Sequence, residues 1–215
     1  MLSETQLKEL AAQLQKPNGE NAIEVANGMQ ATNANIIARA IAAINPQPGD
    51  QILEIGPGNA GHITTLPQTA HYTGLDISPE MVALAQQTFS SRPNTVFELG
   101  NGTTLPFANG AFDKVFSVNT LYFWKDPAAY ATEIARTLKP GGLLCLGFIP
   151  QSTMQHIPFA KYGFTHYSQE QAAKLLESAS FRTEAIDTTT ETIMGNAGKE
   201  ITREITILTA KSDSR

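Results

Sequence analysis

Three glycines and one carboxylate carry the most chemical information in this chain. The glycines stand as Gly56-x-Gly58-x-x-Gly61, directly after the apolar run Gln51 to Ile55. That run follows the turn signal Pro48-Gly49-Asp50 and predicts a buried strand of a parallel sheet. Gly56 can take a backbone angle closed to other residues, and Gly58 puts no side chain in a ligand's way. Ala60 to Leu66 then forms a segment that can start a helix. Strand, glycine turn and helix N-terminus together let a ligand lie against bare backbone, and the glycine spacing fits the dinucleotide fingerprint. A tight turn with no ligand is the plainer reading. Asp76 weighs against it. It ends the run His71 to Asp76, twenty residues after Gly56, where a carboxylate accepts from ribose hydroxyls and repels a 2′-phosphate.

Two further strand ends could contribute. Gly100-Asn101-Gly102 follows the run Thr95 to Leu99, and Asn119 follows Phe112 to Val118. Open parallel sheets bind ligands at this end of their strands. Four side chains are eligible as bases: His156, His166, His62 and Tyr122. His156 lies after the fifth strand, in a segment that can overhang the ligand. The aromatics Tyr122, Phe123, Trp124, Phe159 and Tyr162 suit an apolar or aromatic small molecule, or else simply pack the core.

The elements that must position these residues alternate along the chain. Ser3 to Leu14 carries Leu7, Leu10, Ala11 and Leu14 at helical spacing, and Asn33 to Ile44 carries a second apolar face. About fifty residues of mostly helical lead therefore precede the first strand. Ser78 and Pro79 cap and open a helix to about Phe89. Asp126 and Pro127 open another, which ends at Lys139-Pro140-Gly141-Gly142. The fifth strand is Leu143 to Ile149. A looser segment runs from Pro150 to Tyr167, and Ser168 starts a helix to about Ala179. Phe181 to Ile186 and Thr202 to Thr209 close the chain. Asn196-Ala197-Gly198 between them has no helical pattern, which predicts an antiparallel hairpin. The order gives one α/β domain with a mostly parallel, seven-stranded sheet.

Composition narrows the function classes. A chain of 215 residues has the length of one sizeable domain. A net charge of −5 without a Lys/Arg cluster argues against a nucleic-acid surface. No apolar run is long enough to span a bilayer. Met1 to Leu7 lacks the pattern of a signal peptide. Cys145 is the one cysteine. It reads as a small buried hydrophobe, and the chain fits a reducing cytoplasm. Zinc, zincin and Walker motifs do not occur, and no metal is expected.

Taken in order, four segments resemble the class I S-adenosylmethionine-dependent methyltransferases. They are Leu53-Glu54-Ile55-Gly56-Pro57-Gly58, Gly74-Leu75-Asp76-Ile77-Ser78, Leu105-Pro106-Phe107 with Phe112-Asp113, and Leu138-Lys139-Pro140-Gly141-Gly142. Tyr162-Gly163-Phe164 to Phe181 is similar to the small-molecule branch that includes the quinone-biosynthesis methyltransferases. The resemblance implies a Rossmann-like sheet with helices on both faces. It divides the single domain into a helical lead over 1–48, a cofactor-binding core over 49–149 and an acceptor-side segment over 150–215. It implies S-adenosyl-L-methionine as cofactor and a small-molecule methyl acceptor. Gly56 and Gly58 would lie against its methionine and ribose, with Glu54 holding the turn. Asp76 would take the ribose hydroxyls and Ile77 would pack on the adenine. Asn101, beside Gly102, stands where many members have an acid facing the adenine amino group; its carbonyl could accept the same bond. Val118 and Asn119 would flank the methionine part through backbone groups. The glycine loop departs from the pattern at Asn59-Ala60. No Asn/Asp-Pro-Pro-Tyr motif occurs, which disfavours amino-methylation of adenine or glutamine.

Two other functions fit parts of the sequence. An NAD-dependent oxidoreductase shares the glycine turn and Asp76, but not the helical lead or the terminal hairpin. A non-catalytic binding module with this fold keeps the same residues.

Overall fold

A computed structural model describes residues 2–194 and 200–213. The expected turn Asn196-Ala197-Gly198 lies outside the described residues. The strands are β1 (Gln51–Ile55), β2 (His71–Asp76), β3 (Thr95–Leu99), β4 (Phe112–Val118), β5 (Leu138–Phe148), β6 (Phe181–Met194) and β7 (Glu200–Ser212). They form one seven-stranded sheet in the order β3-β2-β1-β4-β5-β7-β6. The first five are parallel, and β7 runs antiparallel between β5 and β6. The strand order reverses between β1 and β4, so a crevice opens at their C-terminal ends.

Side-chain alternation explains the two-sided core. Leu53, Val115, Leu144 and Leu146 pack on one face with Tyr130 and Ile134 of α5 (Pro127–Thr137) and Leu176 of α7 (Gln169–Ser178). Ile52, Phe116 and Cys145 pack on the other with Ile36, Ile41 and Ile44 of α3 (Ala34–Ile44) and Val82 of α4 (Pro79–Thr88). Successive strand residues point to opposite faces, so a strand covered on both sides carries adjacent apolar residues rather than a strict alternation. Among the described residues, no helix is long and apolar enough to cross a membrane.

Four elements differ from the sequence expectation. The lead holds three helices rather than two: α1 (Glu4–Gln15), α2 (Ala22–Thr32) and α3. Asn27-Gly28 inside α2 reads locally as a turn, and tertiary packing overrides it. The segment after the glycine turn is a short 3-10 helix, Gly61–Thr65, and not the start of an α-helix. Ala60 is left-handed at φ 56°, and Pro67 follows too closely for a longer helix. β5 begins at Leu138, before the Lys139-Pro140-Gly141-Gly142 turn, and the pairing slips between Phe112 and Lys114 to pass that turn. β6 and β7 are longer than read, paired from Phe181↔Ser212 to Met194↔Glu200. Their extra length is rich in threonine and isoleucine, which suit a pleated strand even where the surface is polar.

Candidate active site

A cavity of about 1210 Å³ opens at the switch point between β1 and β4. Ligand pockets for one drug-sized molecule run to about 1,000 Å³, so the cavity exceeds the usual size for one ligand. Its polar side holds Glu54, Gly56, Gly58, Asp76, Ile77, Gly102, Val118 and Asn119. Its apolar side is built from α1, α2, the segment 153–164 and the β6–β7 ribbon.

The glycine turn is fixed by its neighbours. Gly56 donates to the Leu75 carbonyl at 2.8 Å and sits at φ 76°, where a Cβ would run into the Thr120 methyl. Gly58, at φ 57°, has open space where its Cβ would be, which leaves bare backbone toward the cavity. Its N–H donates to Asp76 Oδ2 at 3.0 Å, and Ser78 N–H donates to Asp76 Oδ1 at 2.9 Å. Burial raises the Asp76 carboxyl above its ordinary value, against the pull of these two N–H groups. A carboxylate has about four lone-pair sites, so Asp76 retains capacity for hydroxyl donors. Ile77 lies beside Gly102, 3.5 Å from the position of a Cβ there.

Asn101 is not brought together with these residues. It is exposed, and its Oδ1 accepts from Thr103 N–H at 2.8 Å and Thr104 N–H at 2.9 Å. The side chain closes its own turn, as asparagine does when local backbone donors are free. In this structure the carbonyl expected to face a ligand is engaged within its own turn.

Tyr122 is also committed. Its hydroxyl accepts from Ile149 N–H at 2.5 Å and donates to Asn119 Oδ1 at 2.9 Å. Burial drives its phenol well above the ordinary value, and it lines the cavity. His166 Nε2 lies 3.0 Å from the Ala160 carbonyl and is not among the cavity residues. His156 is exposed at the cavity edge, with Gln155 at 3.3 Å. Phe123, Phe159 and Phe164 form an aromatic wall, with Phe123 and Phe164 centroids 4.6 Å apart and Phe159 and Phe164 5.7 Å apart. Trp124 also lines the cavity, its ring against Tyr130 and its Nε1 donating to Thr120 Oγ1 at 3.3 Å. Tyr162 stands apart, flanked by Lys8 and Lys161.

Residues 53–146 match the family model described as a methyltransferase domain. Residues 53–146 thus carry a methyltransferase domain, in a fold shared with S-adenosylmethionine-dependent methyltransferases. A demethylmenaquinone methyltransferase of Tropheryma whipplei (strain Twist) is 31% identical over 131 residues, covering 60% of this chain and 54% of the relative. A 2-methyl-6-phytyl-1,4-hydroquinone methyltransferase of Synechocystis is 31% identical over 113 residues, covering 52% and 36%. The chain thus spans about half the length of the first of these curated relatives, and less of the second. In fold, it matches a chain from the complex of the Haloferax volcanii Trm112 methyltransferase activator with its methyltransferase. That match has a TM-score of 0.78 at 21% identity and covers 88% of this chain and 93% of that one.

Several residues of this methyltransferase domain's cavity gave no local signal. Leu7, Leu10 and Leu14 showed an apolar face at helical spacing; they are half-buried and line the cavity. Met29 and Gln30 come from the unexpected α2, and Ile193, Ile201 and Arg203 from the unexpected length of the ribbon.

The domain also holds a buried ionisable cluster behind its glycine turn. Glu54 accepts from the Tyr72 hydroxyl and faces His62 Nε2 at 2.8 Å. His62 Nδ1 faces Gln30 Oε1 of α2 at 3.4 Å. Both ring nitrogens thus face oxygens, which suits the doubly protonated ring. Burial lowers the His62 pKa, but the Glu54 charge and hydrogen bond outweigh it, and the net shift is upward from 6.5. The folded state therefore holds this proton more tightly than the unfolded chain. The stabilisation is complete below about pH 6.5 and is lost as pH rises through the raised folded value. Urea unfolding across pH 5.5 to 9 should show a midpoint that falls over that window in the wild type. His62→Gln should remove this component; a variant with the same pH slope as wild type would exclude His62 as its source.

Proposed function

We propose that the cavity binds S-adenosylmethionine on its polar side and presents a small apolar or aromatic methyl acceptor on its other side. The observation that carries this reading is the single cavity that joins the Gly58–Asp76 turn to the Phe123, Phe159 and Phe164 wall. The turn fits the cofactor. Gly58 offers open backbone, Asp76 keeps acceptor capacity for ribose hydroxyls, and Ile77 with Gly102 offers an apolar edge for a base. Val118 and Asn119 would hold the methionine part from the end of β4. When bound, the cofactor supplies an electrophilic methyl carbon on a sulfonium, which is already a good leaving group.

The chain's own residues then have three tasks. The aromatic wall orients the acceptor; alignment of this kind contributes up to about 7–11 kcal/mol in well-oriented intramolecular models. The lead, 1–48, caps the core, 49–149, and with the segment 150–215 keeps water from the acceptor. Of the four candidate bases, His156 at the cavity edge is the one we assign to take a proton from an acceptor. The domain match and the methyltransferase relatives favour this reading over hydride transfer with NAD and over a non-catalytic module.

The test is a screen of metabolite extracts and simple phenols with methyl-labelled S-adenosylmethionine. A labelled small molecule that depends on the protein is the expected result. Label that appears only in protein or nucleic acid would overturn the acceptor assignment.

A further inference from the structure

The β6–β7 ribbon continues beyond the sheet. Pairing of β5 with β7 ends at Phe148↔Thr206, whereas β6 and β7 stay paired to Met194↔Glu200. The extension passes the C-terminal end of β5, and Ile193, Ile201, Thr202 and Arg203 from it line the cavity. Glu204 anchors it to the acceptor-side segment, donating its N–H to Thr153 Oγ1 at 3.1 Å.

Arg203 is the only lysine or arginine among the described residues that line the cavity. Its side chain is 8% exposed, and burial of such a group requires partners. Nε donates to Glu191 Oε1 at 2.6 Å, and Nη2 donates to the Thr32 carbonyl at 2.6 Å and to Asn33 Oδ1 at 3.3 Å. The second Glu191 oxygen accepts from Asn35 at 2.6 Å. The fork is thus fixed and its charge balanced. Nη1 alone has no acceptor among the described residues. It is not sealed in the protein either, since the one enclosed side-chain nitrogen or oxygen without a partner there is Arg39 Nε. The open space that Arg203 borders is the cavity.

We propose that Arg203 is a specificity residue whose Nη1 donates to an oxygen on the acceptor ring: a phenolate, an enolate or a ring carbonyl. This rests on the reading of the apolar half of the cavity as an acceptor site. A guanidinium already paired with Glu191 does not call for a polyanion. It offers the Nη1 N–H groups at the cavity edge, where a matched oxygen is favoured and a bare hydrocarbon leaves them unpaired. A purely structural Arg203, tying the ribbon to the α2–α3 junction, would leave ring preference unchanged.

The experiment uses the whole chain saturated with S-adenosylhomocysteine and two probes of similar shape, 2-naphthol and 2-methylnaphthalene, titrated by calorimetry. The readout is the ratio of their dissociation constants. In Glu191→Gln/Arg203→Met, which removes both charges together, the preference for 2-naphthol should fall roughly tenfold, with S-adenosylhomocysteine affinity unchanged. A folded double variant that keeps the wild-type ratio overturns the assignment. If that variant does not fold, the wild type answers through the Arg203 Nε–H resonance. It should shift with 2-naphthol and hold still with 2-methylnaphthalene; equal responses overturn the proposal. Binding of 2-methylnaphthalene with an unmoved ratio sinks only the Arg203 role. Failure of both probes to bind sinks the acceptor reading as well.

Discussion

Replacing Asp76 with alanine is expected to weaken S-adenosylhomocysteine binding by about 10- to 150-fold, the range set by about 1.5–3 kcal/mol for hydrogen bonds to a charged group. Two losses combine. The ribose hydroxyls lose their acceptor, and the N–H groups of Gly58 and Ser78 lose theirs. The second loss loosens the turn itself, because Gly58 has no side chain to brace it. Asparagine is no conservative replacement here. Its amide presents N–H to one of two backbone N–H groups, so the turn must shift. Calorimetry on variants with native circular dichroism measures the effect. Unchanged affinity in folded Asp76→Ala would show that the ribose lies elsewhere.

Deleting α1, residues 1–15, is expected to lower turnover of an identified acceptor by roughly 10²-fold, the scale of a small misplacement of reacting groups. Cofactor affinity should change by less than about threefold, since none of the cofactor residues named above lies on α1. Leu7, Leu10 and Leu14 of α1 form one wall of the apolar half, while Ala11 is the buried residue that docks the helix. The deletion retains Pro17, whose carbonyl accepts from Ser78 Oγ at 2.5 Å next to the ribose side. Steady-state kinetics beside calorimetry separate the two effects. A stable truncated protein with normal turnover would assign α1 to stability alone.

The parallel core was legible because strands covered on both faces carry adjacent apolar residues, as at Ile52-Leu53 and Val115-Phe116. Gln51 to Ile55 and Phe112 to Val118 could hardly be read otherwise. The glycine turn was legible for a different reason: Gly56 takes a positive φ of 76° that strains any other residue. What escaped was decided by distant parts of the chain. α2 is helical despite Asn27-Gly28 because Ala22 and Ala26 pack against Met81 of α4. Arg203 acquires its setting from Thr32 and Asn33, about 170 positions earlier in the sequence. Asn101 failed for the opposite reason. Its fate is local, in a turn with Thr103 and Thr104, while the family pattern directed attention to a ligand. The Leu7-Leu10-Leu14 stripe shows a third limit: periodicity reveals an apolar face but does not distinguish a core from a cavity wall.

The central claim, a cofactor site for S-adenosylmethionine at the Gly56–Asp76 turn, is tested most directly by calorimetry of the purified chain with S-adenosylhomocysteine and with NAD. The predicted result is saturable one-to-one binding of S-adenosylhomocysteine that Asp76→Ala weakens, and no heat from NAD at the same concentrations. Tight NAD binding with no response to S-adenosylhomocysteine would contradict the account.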